Sequence, residues 1–564
     1  MSQIAGLQDF RGQSPPADIG THLLVKGIFV FQHTFSGVTR FCAVRSGERG
    51  WVLVSFGTVA ATVINAAILA TGGNNEVAIG YGTYVLNTPV ISQGLDGVKL
   101  SGMGRGTILQ VAANTAIDAI EIGIDGGAGQ TGWVIEQLTV DGNRGNNAAG
   151  GDIRIQNGII FNNSPDCAIR YCWVHDCIYD GTLPRDNSDR ALMEGNIVWN
   201  CGYGGICAWR CYGVKIIGNT CHSNGILTGS GIVIEDLNYT ICFGNVCYQG
   251  AGNGIEMWGQ DAYRTYGNVI IGNICYDNAL SGINISNWTY DYTIVGNSCN
   301  ANHNNGINIT GNNYQGTVSA NVCYLNTWSG INISDGATLI WVVNNIFVSN
   351  GANGINFESN ADSNFADGNI CTLNGWYGID IAAGCDYNKI GANNYLLGNT
   401  TAAFRDLSGT AILPTLTLPF VNGTLFLSAD GAPWGWEIDA ATEYAIALGH
   451  IPNEAQQVVR WKIWAVGLAA PGPGNTMALE IVGRGGASDE AYTTESVDVA
   501  NKASNETNFA INDIISWTLT PADDADIGHY LGGDAIMIKV LYESAGGLLV
   551  ATDAAFLCVE IQYV

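Results

Sequence analysis

At 564 residues, 47% hydrophobic and only 13% charged, the chain is too long for one ordinary core and too apolar to stay disordered. A formal net charge of −27 argues against nucleic acid or an anionic membrane as partner. The opening MSQIAGLQDFRGQ has no basic-then-apolar signal, and no apolar run is long enough to span a bilayer, so folding in a reducing cytoplasm is expected.

Residues 1–57 carry Pro15, Pro16 and short apolar runs (Leu23–Val25, Ile28–Phe31, Trp51–Phe56), and read as a small strand-containing leader or attachment segment. Thr58–Thr71 is the one good helix candidate. Thr58 is its expected N-cap, and Val59, Val63, Ala67 and Ile68 share a face. A helix placed before a repeat array suits covering the array's apolar end. Two strand-like motifs follow, VAIGYGTYVL and VKLSGMGRGTIL, then irregular segments over about 110–213 with a polar excursion at Asp141–Asp152.

From about Val214 to Ile381 one pattern recurs, G-N-x-C-x-x-N-x-x-x-G-I-x-I, with the turn asparagines Asn219, Asn245, Asn273, Asn297, Asn321, Asn345 and Asn369 spaced 24 to 28 residues apart. A fixed period of this size means stacked repeats. Apolar residues two apart, such as Ile283 and Ile285, mean short strands with one face buried. The expected fold is all-β: a right-handed parallel β-helix with a short N-terminal capping helix, one coil per repeat, and like side chains stacked about 4.8 Å apart. Asparagine suits the left-handed bend of a tight turn, and its amides can bond from coil to coil. Fourteen of the 16 cysteines lie between Cys167 and Cys385, five of them in a column after the turn asparagines. That placement suggests buried thiols; no spacing resembles a zinc site, and neither metal nor cofactor is expected. From about Leu413 alternating segments such as VVRWKIWAVGL and FLCVEIQYV predict an antiparallel, jelly-roll-like β-sandwich that trimerises the chain or binds glycan. The expected domains are therefore 1–57, 58–408 and 409–564.

The order of helix, then Val77, Ile79, Gly82, Tyr84 and Leu86, then Val98, Leu100, Gly102, Gly104, Thr107 and Leu109, resembles the opening of the pectate-lyase-like superfamily. That family commonly has an Asp pair ahead of the helix, where Gly57-Thr58 stands here. With the terminal sandwich added, the whole resembles a bacteriophage tailspike or tail-fibre protein. The resemblance implies a homotrimer in the virion tail, made in the host cytoplasm (alternatively an extracellular protein). It further implies attachment through the N-terminus to a tail or baseplate protein, and binding and cleavage of bacterial surface polysaccharide. It carries no catalytic residue over.

The candidate site comes from two departures from the repeat. Asn219 to Gly231 has three residues more than the regular coils, and Gly254 to Asn273 has four more. Charged and bulky residues gather there. Glu235, Glu256, Asp236 and Asp261 are candidate catalytic carboxylates; Trp209, Arg210, Trp258, Arg264 and the uncharged Asn284 are candidate substrate contacts. Glu235 and Glu256 differ by one coil and two residues, about 8 Å apart by strand geometry. That lies within the roughly 6.5–9.5 Å of inverting glycosidases and beyond the roughly 5–5.5 Å of retaining ones. A second cluster, His175, Asp176, Asp180, Arg185, Asp186, Asp189, Arg190 and Glu194, lies one to three coils toward the N-terminus; much of it, TLPRDNSDR, reads as a structural loop, the alternative being the other end of the same groove. The expected function is inverting hydrolysis of a surface polysaccharide. The alternatives are a non-catalytic receptor-binding adhesin and a polysaccharide lyase or epimerase.

Overall fold

The computed structural model describes residues 27–411, apart from 36, 48, 49, 125, 126, 149–154 and 409, and the backbone of nine strands beyond. The chain falls into two units, the first being Met1–Trp341 with Asn345–Ala361 and the second the remainder.

In the first unit each coil carries three short strands. The coil beginning at Lys215 has Lys215–Ile217, Thr220–His222 and Ile232–Glu235. Each pairs in parallel with its counterpart one coil on, Ile241–Phe243, Val246–Tyr248 and Ile255–Trp258, so three parallel sheets run along the unit. The alternation of side chains decides what is buried. In the first two sheets the middle residue of each triplet points inward, giving Ile216, Cys242, Ile270 and Ile294 in one and Cys221, Cys247, Cys275, Cys299 and Cys323 in the other, all fully buried. The five cysteines stand in direct register, coil over coil. They are free thiols, and burial raises the Cys242 and Cys371 thiols well above their ordinary range. In the third sheet the first and third residues point in, as in Ile283 and Ile285.

The corner between the first and second sheets is stitched by the turn asparagines. Asn273 Nδ2 donates to Asn297 Oδ1 at 3.0 Å and to the Cys242 carbonyl at 2.9 Å, while its backbone N–H also reaches Asn297 Oδ1. The same set repeats from Asn196 to Asn345, so these buried amides have their polar groups satisfied within the fold. The left-handed residue of the corner, however, is the one before the asparagine: Gly218, Gly244, Gly272, Gly296, Ala320 and Asn344. Asparagine is there for its amide, and glycine supplies the bend.

The helix runs from Ala60 to Thr71, one residue shorter at its start than Thr58 as N-cap would give. Val59 is the N-cap residue, without a side-chain bond, and Gly72 ends the helix in the left-handed conformation. Its buried face (Ala60, Ala61, Val63, Ile64, Ala67, Ile68) lies across the first coil's strands Glu76–Ile79, Gly82–Leu86 and Val90–Ile91. Ahead of it Gly27–Phe35, Val38–Gly47 and Gly50–Gly57 form an antiparallel extension, joined in parallel to Glu76–Ile79. The described part of the N-terminal segment is thus built onto the first sheet.

Within the second unit Phe365–Asp367 pairs with Lys389–Ile390 and Tyr377–Ile381 with Ala402–Asp406, again in parallel, and Asp380 holds Arg405 through two bonds of 2.7 Å. Beyond residue 414 pairing turns antiparallel: Ala554–Tyr563 pairs with Thr415–Leu418 and Val458–Gly467, Val458–Gly467 with Ile514–Leu519, and Tyr444–His450 with Ala535–Leu541. The sandwich packing expected of 409–564 lies outside the described residues. Among the described residues no helix is long and apolar enough to cross a membrane.

Candidate functional site

The second and fourth residues of each third-sheet strand point away from the interior. The fourth-residue column runs Arg185, Trp209, Glu235, Trp258, Ser286. Glu235 therefore stands in register between two indoles, one a coil before it and one a coil after. The second-residue column runs Cys207, Val233, Glu256, Asn284, Asn308, Asn332, Asn356. Glu256 follows Glu235 by one coil and precedes it by two residues along the strand, a diagonal of about 8 Å between backbone positions.

Burial pushes the Glu235 carboxyl up to about 7, with Asp236 adding to the rise, Arg210 opposing it and Glu256 adding further. The apolar contribution has a visible source. Trp209, Trp258 and Tyr203 pack on an outward cluster of Ile160, Leu183, Cys207 and Val233, which removes water from this face. Glu256 is instead surrounded by donors: Ser230 Oγ donates to Oε2 at 2.8 Å and Asn284 Nδ2 to Oε1 at 3.4 Å. One carboxyl is kept from water while the other is held as an acceptor, the asymmetry an acid–base pair requires.

Both extra loops flank this face. In the first, Leu227 and Thr228 donate their N–H groups to the Gly202 carbonyl, at 2.7 and 3.3 Å, folding the loop back over the preceding coil. Gly229 sits against Tyr203 with φ of +103°, where any side chain would meet that ring and strain the backbone. In the second, Gln260 and Tyr263 exchange backbone bonds of 3.1 and 2.9 Å. Asp236 Oδ1 accepts the Gln260 N–H at 3.0 Å, tying that loop to the coil before it.

The remaining predicted residues divide between the face and its rim. Arg210 lies over the Trp209 and Tyr263 rings, 4.5 and 4.3 Å from their centroids. Its Nε is 3.6 Å from Asp236 Oδ2, an ion pair whose two atoms lack a hydrogen bond. The Asp236 side chain is fully buried, and burial raises its carboxyl. Asp261 is 74% exposed and 3.7 Å from Arg264, which lies over Trp288 and Tyr290 at the rim. Asn284 takes part in an amide chain with Glu256 and Asn308.

The second cluster does not form one site. Glu194 pairs with Arg170 on the first sheet, Arg190 with Asp166 at a corner, and His175 with Asp176 beside the second sheet, while Asp180 and Arg185 belong to the third. Residues adjacent in sequence go to different faces because one coil distributes them over three sheets. Asp141, His175 and Asp176 bring possible metal-ligating atoms within 4.8 Å of one another. The group is already engaged: Gln110 Nε2 donates to Asp141, Asn200 Nδ2 to Asp176, and His175 Nδ1 lies 2.7 Å from Asp176. A depression of about 480 Å³ adjoins it, lined by Arg144, Asn147, Asp176, Asn200 and Leu227. The His175 ring begins a stack through Trp199, His222, Tyr248 and Tyr276 on the outer face of the second sheet. Sequence reasoning missed this stack, although its 23-to-28-residue spacing was there to read, and it missed Ser230 and Tyr203 in the site.

A family model agrees with this architecture. The model of the family described as "Right handed beta helix region" matches residues 157–314 and 205–371. Among curated proteins none matches the sequence. Similar solved structures include the A-module of a mannuronan C-5 epimerase of Azotobacter vinelandii (17% identity, TM-score 0.47, 62% of this chain and 94% of that one). The Dettilon tailspike protein is similar at 14% identity and TM-score 0.46, over 89% of this chain and 90% of that one. The catalytic unit of an α-1,3-glucanase from Streptomyces thermodiastaticus is similar at 15% identity and TM-score 0.43, covering 63% of this chain and 64% of that one.

Proposed function

We propose that the outer face of the third sheet binds a bacterial cell-surface polysaccharide and cleaves it by inverting hydrolysis. Glu235 gives its proton to the glycosidic oxygen as that bond breaks. Glu256 takes a proton from the water that attacks the anomeric carbon from the opposite face. The observation that carries this reading is the unequal pair: a carboxyl between two indoles, with burial raising it to about 7, diagonal to one that accepts from Ser230 and Asn284. Trp209 and Trp258 offer flat apolar faces to sugar rings, while Arg210 and Arg264, over aromatic rings at the edge, suit an acidic substituent. Asp236 serves as an anchor for Arg210 and the Gln260 loop, and Asp261 as a rim residue.

On this reading the protein is a homotrimeric, tailspike-like part of a virion tail, attached through its N-terminal residues to a tail or baseplate protein. Exposed Ile241 and Phe243 on the first sheet and Ile274 on the second support self-association, as they leave apolar side chains on the outer surface of the coils. The test is to incubate capsule or O-antigen with the protein and follow reducing ends. Release by the wild type that is lost in both Glu235→Gln and Glu256→Gln is expected. Equal release by wild type and variants rejects the site, and no release from any surface glycan leaves binding alone.

A further inference from the structure

Two amide ladders run along the regular coils, and they point in opposite directions. In the buried corner each Nδ2 donates to the asparagine one coil toward the C-terminus: Asn273 to Asn297, then Asn297 to Asn321. Backbone fixes that direction, because each Oδ1 also accepts the N–H of the preceding asparagine. On the outer face of the third sheet the sense is reversed. Asn356 Nδ2 donates to Asn332 Oδ1 at 2.7 Å, Asn332 to Asn308 at 3.1 Å and Asn308 to Asn284 at 2.8 Å, and Asn284 Nδ2 ends on Glu256 Oε1. No backbone N–H is among these bonds, so the side chains take their direction from the two ends and from Asn305, whose Nδ2 donates to Asn308 Oδ1 at 3.4 Å in mid-row. At one end is a carboxylate, which only accepts when ionised. At the other, Asn353 Nδ2 donates to Asn356 Oδ1 at 3.0 Å, feeding the chain a donor. Four side-chain dipoles are thereby aligned toward one charge, and hydrogen bonds in such a row polarise one another.

We propose that Asn284, Asn308, Asn332 and Asn356 are positioning residues for Glu256: a polarised row of amides that holds its carboxylate in one orientation, and so decides which member of the pair is the base. This rests on the hydrolytic reading for its catalytic consequence, but not for its physical one. The row explains why the coils beyond the site carry Asn at this outward position although no sugar need reach Asn356, which is 9% exposed.

The experiment compares wild type, Asn284→Leu, Asn308→Leu and Glu256→Gln in the full chain. The carboxylate band of Glu256 is isolated as the infrared difference between each protein and its Glu256→Gln counterpart, and followed against pH. Losing a donor to an ionised group disfavours the ionised form, so in Asn284→Leu the band is lost at a pH about one unit higher. In Asn308→Leu, which does not touch Glu256, the shift is in the same direction and smaller. The acid limb of kcat/KM moves with the band, kcat falls roughly tenfold in Asn284→Leu because the carboxylate is no longer held in line with the attacking water, and KM stays within about twofold. Unchanged band midpoints in both variants, with only a lowered thermal midpoint, would make the row structural and overturn the proposal. If wild type cleaves no glycan, the hydrolytic reading fails alone, since the band midpoints still judge the row.

Discussion

The coils from Asn273 to Phe357 and the coils from Ile206 to Tyr266 are built on one template and differ in what they do with it. In the regular set every outward second residue of the third sheet is Asn, and the loops keep their length. In the irregular set the same position holds Cys207, Val233 and Glu256, the fourth holds Trp209, Glu235 and Trp258, and both insertions border this stretch. Inward positions hardly change between the two sets; Ile206, Ile232, Ile255 and Ile283 continue one buried column. A solenoid separates its tasks in this way because inward residues fix the coil while outward residues and loops are free to carry chemistry.

If that division is right, the largest effects fall on opposite properties in the two sets. Glu235→Gln or Glu256→Gln should lower kcat about 10³-fold while leaving the thermal midpoint within a degree or two of wild type, about the loss expected from removing a general acid or base. In the wild type, kcat/KM should fall above about pH 7 as Glu235 gives up its proton. Trp209→Ala should bring that alkaline limb to lower pH by admitting water beside the carboxyl. The corner asparagines should behave inversely. Asn297→Ala leaves the Asn273 backbone and side-chain donors and the Ile270 carbonyl without this buried partner, and takes from Asn321 Oδ1 one of its two donors. A stability loss of about 3–5 kcal/mol by denaturant titration is expected, with kcat retained in the protein that remains folded. A large loss of kcat at equal stability would show that the regular coils are not merely scaffold.

Much of this was legible in the sequence because a fixed period turns adjacency in space into simple counting. The cysteine column, the one coil per repeat and the one-coil, two-residue offset of Glu235 and Glu256 follow from aligning repeats. Side-chain direction at strand ends does not. Asp236 reads as an outward acid next to Glu235, but its φ of 54° ends the alternation and turns the carboxyl under Arg210. Arg210, with φ of 51°, occupies the corresponding place one coil earlier. Thr58 reads as a helix cap on residue type alone, whereas the helix begins after Val59 without a side-chain bond. The second acidic cluster reads as one site because its members are close in sequence, and a coil of three sheets sends them to three faces.

Asp180 offers a pH-dependent test of what the repeat tolerates. It occupies the position two residues before the third-sheet strand, where other coils have Asn157, Ser230 and Asn253. Full burial raises its carboxyl to about 8, while Oδ1 accepts the Gly204 N–H at 2.8 Å. Its folded value lies above its unfolded one, so any stability from the neutral form is present at low pH and is lost as pH rises through about 8. Asp180→Asn keeps the acceptor and removes the titration. The variant and wild type should be nearly equal near pH 4, and the variant more stable by a few kcal/mol at pH 8. Urea midpoints at the two pH values measure this, and a gap that does not widen with pH would mean that Asp180 is ionised in the fold.

The smallest effect comes from within the regular set and isolates the backbone. At the left-handed residue before the turn asparagine Gly296 has φ of 65° and Ala320 has φ of 54°, in neighbouring coils with the same hydrogen bonds around them. A Cβ added at Gly296 would meet nothing within 4 Å, so packing contributes nothing to the difference there. What is left is the cost of placing an L side chain in the left-handed region, about 1 kcal/mol, partly offset by the greater freedom that glycine gives the unfolded chain. Ala320→Gly should therefore stabilise the protein by about 0.5 kcal/mol and Gly296→Ala should destabilise it by a similar amount, with kcat untouched in both. Changes of the same sign would mean that the two corners are not equivalent, and that the regular coils are less uniform than their spacing implies.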